Sequence, residues 1–161
     1  MKYTLTALKI YKAMSQETVA YSATLNIDGK PAFECRNHGH GGADTFQRIG
    51  DYRTDDIEAA IKADPPAGVV LSQYMSPLES LITRLIQLGD AEKLLKSITS
   101  RAFVFIKDGK VKTISPKRGQ KATQLWFQAI QARHPELTPI TREHGWDEAI
   151  QILCPLEQPE P

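Results

Sequence analysis

A chain of 161 residues, 41% apolar and 24% charged, has enough apolar side chain for one well-buried core and none of the bias of a disordered chain. Its formal net charge of +1 excludes a global field as the means of holding nucleic acid or membrane, so any such contact has to be local. Charges interrupt every apolar run of the opening MKYTLTALKIYKAMSQE, no stretch is long enough to cross a bilayer, and Cys35 and Cys154 show no metal spacing. The expectation is a cytoplasmic protein with one globular domain over 1–154, a flexible tail over 155–161, no cofactor and no disulfide framework.

In chain order, Lys2 to Lys12 is a plausible first strand. From Val19 to Ile27 apolar side chains fall on odd positions and polar ones on even positions, the alternation of a half-buried strand. Pro31, Phe33 and Cys35 continue the odd parity. A three-residue loop Ile27-Asp28-Gly29, with Gly29 left-handed in a G1 bulge, keeps that parity by pairing Leu25 with Pro31 and Ala23 with Phe33. The chain therefore opens on a three-stranded meander. A short helix follows with Thr54 as N-cap, Asp55 and Asp56 in its first turn, and Ile57, Ala60 and Ile61 on one face, ended by Pro65-Pro66. Ser76-Pro77-Leu78-Glu79 combines an N-cap serine, a proline at the first helical position and a glutamate at the third, a specific helix start. Its apolar spacing runs to Gly89, where the helix is expected to stop, with Asp90 capping a continuation through Ile98. A second hairpin, Phe103 to Ile106 and Val111 to Ile114, turns at Lys107-Asp108-Gly109. Helix Gln120 to Arg133 carries the stripe Ala122, Leu125, Trp126, Ala129 and Ile130. Leu137 to Thr141 reads as a short strand and Trp146 to Leu153 as a last helix. Segregated strands and helices give an α+β fold: a meander, a helical middle, and a second hairpin with C-terminal helices packed on the sheet.

The third strand runs into RNHGHGG, Arg36 to Gly42, with three glycines and two histidines in seven residues. Gly39, Gly41 and Gly42 can turn successive N–H groups inward as an anion-binding nest, with Asn37, His38 and His40 adding side-chain hydrogen bonds. Phosphate is the obvious guest, although the spacing matches neither of the common glycine-rich phosphate motifs. Equally, the glycines serve simply to turn the chain at the end of the sheet. His38-x-His40 with Asp44 has donors that suit zinc, but a glycine-rich loop fixes them poorly, so no metal is assigned. Cys35 shares the apolar face with Phe33, where a thiol is ordinarily core.

The stretch ATLNIDGKPAFECRNHGHGGADTF resembles a segment of small, uncharacterised phage, prophage and plasmid proteins. In these a strand, a D-G-K turn and a second strand lead into S-N-x-G-H-G-G, then a polar residue and an aromatic. Asn37, Gly39, His40, Gly41, Gly42 and Phe46 match. Arg36 stands where a serine is usual, and the position of His38 is free in that pattern, which favours His40 of the pair. The later Lys107-Asp108-Gly109-Lys110 hairpin, Ala132-Arg133-His134-Pro135 and Asp147-Glu148-Ala149 follow the same order of elements. The resemblance implies a mobile-element setting, in the cytoplasm of the host cell, and no particular chemistry.

Between Lys107 and Lys121 six basic residues, Lys107, Lys110, Lys112, Lys117, Arg118 and Lys121, face a single acid, Asp108. Such a run is ordinarily a solvated surface. It also suits a phosphate-rich partner, though without interleaved aromatics it is no single-strand stacking platform. Three functions follow. The first is capture of a phosphorylated, nucleotide-like small molecule by Asn37 to Gly42 and Asp44, helped by Lys112, Lys117 and Arg118, in order to sequester a host defence signal. The second is inhibition by docking onto a host defence protein or nucleoprotein, with Tyr52, Tyr74 and Trp146 as candidate anchors. The third is a hydrolase with His40 as general acid or base and Asp44 orienting it. Nucleic acid as partner is possible through Lys107–Lys121 but not favoured, and no membrane is expected.

Overall fold

The computed structural model describes residues 1–155, so the tail expected at 155–161 lies, after Pro155, outside the described residues. Strands and helices are segregated as an α+β fold, in two compact units, Met1–Ile86 and a second from Gln87 onward.

The first unit is a four-stranded antiparallel meander, β1 (Tyr3–Ile10), β2 (Tyr21–Ile27), β3 (Lys30–Asn37) and β4 (Thr45–Arg48), in chain order across the sheet. One sheet face carries Tyr21, Ala23, Leu25, Ile27, Phe33 and Cys35. These pack with Ile57 and Ile61 of α1 (Thr54–Ala63) and with Leu78, Leu81, Ile82 and Ile86 of α2 (Pro77–Thr99). Polar side chains such as Lys9, Glu34 and Arg36 alternate onto the other face and are exposed.

The hairpin between β2 and β3 differs from expectation. Its loop is the two-residue Asp28-Gly29, both at positive φ (49° and 80°), and Ile27 pairs with Lys30. The parity that the three-residue loop was invoked to preserve is restored inside the sheet. The register shifts after Leu25↔Phe33 to Asn26↔Pro31, so Ala32 is the extra residue of a β-bulge. Its carbonyl is not wasted, since it accepts from the N–H groups of Ile49 (3.0 Å) and Gly50 (3.2 Å). A second bulge lies in β1 between Thr6↔Thr24 and Lys9↔Ser22, with Ala7 at φ 52°. It moves the core-facing set from Tyr3 and Leu5 to Leu8 and Ile10. Strand β4, which was not expected, pairs with β3 from Arg36↔Thr45 to Phe33↔Arg48.

Helix α1 starts at Thr54, one residue earlier than expected, and Arg53 takes the cap position with no side-chain cap bond. Helix α2 runs unbroken through Gly89 rather than stopping there. A glycine in a helix interior costs about 1 kcal/mol, and apolar packing on both sides of it outweighs that: Ile82 and Ile86 before it, Leu95 after it.

In the second unit the hairpin β5 (Phe103–Lys107) and β6 (Lys110–Ile114) is covered on both faces, as the continuous apolar run FVFI requires. Phe103 and Phe105 pack with Ile130, Trp126 and Phe127 of α3 (Gln124–Arg133). Ala102 and Val104 pack with Leu95 of α2 and with Ala149 and Ile150 of α4 (Trp146–Leu153). Only Thr123 caps α3, accepting from the Trp126 N–H at 3.3 Å, so the helix starts four residues later than expected. Leu125 of the expected stripe is 77% exposed, and Phe127 takes its inward place. Residues 137–141 form isolated bridges, Phe105↔Pro139, Thr141↔His144 and Thr141↔Gly145, with the Ile140 N–H donating to the Val104 carbonyl (2.8 Å), rather than a strand.

Candidate functional site

The Arg36–Gly42 loop is organised around one buried side chain. Asn37, the last residue of β3, points inward, as a strand residue of odd parity must, and uses its amide fully. Its Nδ2 donates to the Gly42 carbonyl (2.9 Å) and to Asp44 Oδ1 (2.8 Å). Its Oδ1 accepts from the Gly39 N–H (2.7 Å) and from Thr18 Oγ1 (2.9 Å).

Gly39, at φ 85°, is buried beneath the connection between β1 and β2. Its carbonyl accepts from the N–H groups of Gln16 (3.0 Å) and Glu17 (3.1 Å), so this connection wraps the loop from one side. A Cβ at Gly39 would overlap the Met14 carbonyl oxygen and crowd Ala20. Gly41, at φ 79°, is more open: its N–H donates to Thr18 Oγ1 (3.3 Å), and a Cβ there would meet only the movable Glu17 carboxylate. Gly42 has open space around it and no positive φ.

Asp44 closes the loop from the other side. Its Oδ2 accepts from the Tyr21 hydroxyl at 2.5 Å, and its own N–H donates to Glu79 Oε1 at 2.9 Å. Glu79 is the third residue of α2, and its other oxygen accepts from the Ser76 N–H (2.7 Å) while Ser76 Oγ accepts from the Glu79 N–H (3.2 Å). The expected capping box is therefore present, and its glutamate also clamps the loop. Burial pushes the Asp44 carboxyl above its ordinary 3.8, the nearby Glu79 charge adds to this, and the bonds from Tyr21 and Asn37 offset only part of it. Burial and then Asp44 hold the Tyr21 hydroxyl well above its ordinary 10.0, so it remains a donor. Burial pushes the Cys35 thiol up to about 12, which leaves no thiolate nucleophile at neutral pH.

His38 and His40 both face solvent, and His40 Nδ1 lies 3.2 Å from Gln16 Oε1. Asp44 gives its two carboxylate oxygens to Tyr21 and Asn37, not to His40, so the orienting pair that the hydrolase reading requires is not assembled. No group of three or more His, Cys, Asp or Glu among the described residues is placed to hold a metal ion.

Of the residues singled out in the sequence, Asn37 to Gly42 and Asp44 come together in the first unit. Lys112, Lys117 and Arg118 belong to the second, where Lys112 pairs with Asp108 at 3.1 Å and Lys117 and Arg118 lie in an exposed turn. Among the candidate anchors Tyr52 and Trp146 pack against the two cores, whereas Tyr74 is 88% exposed. Sequence reasoning did not find Thr18, Tyr21 or the second role of Glu79, because their contacts with the loop span 19 to 35 residues and leave no local signature. No family model matches the chain, and neither do curated proteins or solved structures.

Two outcomes test this geometry. Gly39→Ala is expected to cost about 2–4 kcal/mol, adding backbone overlap to a strained φ, and Gly41→Ala only about 1 kcal/mol, both read by urea unfolding; equal costs would contradict the buried crossing at Gly39. The second concerns pH. A carboxyl whose folded pKa is raised holds its proton where the unfolded chain has released it, so its contribution is complete below about 3.9 and is lost as pH rises through the raised value. Relative to an Asp44→Asn variant, the wild type should therefore lose stability as pH rises from about 3.9; a relative gain over that range would contradict it.

Proposed function

We propose that the protein acts by binding rather than by chemistry, and that it docks onto a protein partner through the surface where residues 11–19 fold over the Arg36–Gly42 loop. The observation that carries this reading is an exposed apolar group on a locked frame. Met14 is 45% and Val19 47% exposed, Tyr11 is exposed in the same stretch of chain, and the exposed His40 reaches that stretch through Nδ1, 3.2 Å from Gln16 Oε1. The frame beneath is fixed by the Asn37 and Gly39 bonds, so little ordering entropy is left to lose on association. Exposed apolar side chains suit the core of a protein interface, and an exposed imidazole suits its polar rim. In the mobile-element setting that the resemblance implies, the partner is a host protein and the outcome is its inhibition.

The nucleotide-capture reading draws less support from the same atoms. Two of the N–H groups that a phosphate nest needs, those of Gly39 and Gly41, are already engaged by Asn37 Oδ1 and Thr18 Oγ1. The Glu17 carboxylate beside Gly41 adds a charge of the wrong sign.

The test uses the full chain to recover a stoichiometric partner from host extract, followed by a binding isotherm with that purified partner. A Met14→Asp/Val19→Asp variant, whose exposed positions leave folding intact, is expected to bind at least about tenfold more weakly, or about 1.4 kcal/mol. Unchanged affinity would overturn the assignment of this surface. So would a nucleotide that stabilises the wild type by about 2.7 kcal/mol at a hundredfold its Kd and loses that effect in His40→Ala, which would establish the small-ligand reading instead.

A further inference from the structure

The two units differ in charge more than the near-neutral whole suggests. Residues 87–155 carry eleven Lys and Arg against seven Asp and Glu, a net +4, whereas residues 1–86 carry nine against ten, a net −1. The excess is concentrated in the β5–β6 hairpin and the link to α3. Lys107, Lys110, Lys112, Lys117, Arg118 and Lys121 are all exposed. Of these only Lys112 is in an ion pair among the described residues, with Asp108.

The register adds a second observation. Lys107 pairs directly with Lys110 across the hairpin, and Phe105 with Lys112. Cross-strand partners share a face, so Lys107, Lys110 and Lys112 project on the face that carries Phe103, Phe105 and Ile114, the one packed by α3. Like charges placed opposite each other are destabilising, and among the described residues Asp108 is the carboxylate paired with them. The link from Ile114 to Thr123 joins that hairpin to α3 and carries the other three cations. Its turn is closed by the Gln120 N–H donating to the Lys117 carbonyl at 2.9 Å, with Gly119 at φ 86°.

We infer that this hairpin and link form a cationic surface that binds the phosphate backbone of duplex nucleic acid without reading sequence. Unpaired lysine and arginine ammonium and guanidinium groups are the side chains that displace condensed counterions from a duplex. The large exposed side chain of the neighbouring helix is Leu125, and among the described residues 107–121 there is no aromatic to stack an unpaired base. Backbone contacts position a protein on a duplex but carry no sequence information, so the binding is nonspecific. This surface belongs to the second unit, and its binding does not depend on the function proposed for the Met14–Val19 surface of the first.

The experiment is fluorescence anisotropy of a labelled 20-base-pair duplex of arbitrary sequence with the full chain, titrated between 50 and 200 mM salt. Five unpaired cations give an expected slope of log Kobs against log salt of about −4 to −5, and two unrelated duplexes should bind alike. Lys117→Gln/Arg118→Gln should weaken binding to both and make the slope shallower by about 2, while Lys30→Gln/Lys62→Gln in the first unit leaves it unchanged. No binding at the lowest salt would overturn the inference. A slope indifferent to the Lys117/Arg118 change, or equally reduced by the Lys30/Lys62 change, would do the same. Binding to phosphatidylserine vesicles without binding to the duplex would reassign the surface to anionic lipid.

Discussion

The first unit turns on the amide of Asn37. A buried carboxamide has two donors and room for two accepted bonds, and leaving any of them unmet in a protein interior costs about 1–3 kcal/mol. Here all four are met, by Gly42, Asp44, Gly39 and Thr18. Those four bonds tie together the end of β3, the turn after it, the approach to β4 and the connection between β1 and β2. Aspartate lacks the donors and leucine lacks everything, so the position tolerates neither. A loop with three glycines, the residue type that loses most conformational freedom on folding, is by this means held in one shape.

The consequence for function lies in which groups the network consumes. It draws inward the Gly39 and Gly41 N–H groups and both Asp44 oxygens, the atoms that an anion or a general base would need. It leaves outside the two imidazoles and the apolar side chains of Met14 and Val19. Glu79 extends the same network into α2, so a helix start and a loop closure share one carboxylate. Networks of this kind are stiff because their members polarise and orient one another.

Much of the architecture was legible because burial writes itself into local periodicity. The odd-parity strand, the Ser76 to Glu79 capping box and the last helix are all where their patterns place them. The two bulges show where local reading stops. In β1 the apolar phase changes from Tyr3 and Leu5 to Leu8 and Ile10, which is itself a signature of one inserted residue and was there to be read. In β3 the odd parity is legible in the sequence but its cause is not: Ala32 supplies the extra residue inside the strand, and Asp28-Gly29 forms a tighter turn than parity alone suggests. Strand β4 has four residues and a single inward aromatic, Phe46, too little alternation to stand out. Gly89 and Leu125 mislead for a shared reason: propensity and stripe are weak priors that tertiary packing overrides. The site was legible only as a composition. That Asn37 is its centre and Gly39 its tightest point depends on partners far away in sequence.

Occupation of the Gly39 and Gly41 N–H groups in the free protein is what closes the loop to an anion. Amide hydrogen exchange measures it directly. The Gly39 N–H should be strongly protected in the wild type and lose that protection in Asn37→Ala while the core strands keep theirs. Exchange of the wild-type Gly39 N–H at the rate of an unstructured glycine would contradict the account and return the loop to the role of an open anion cradle.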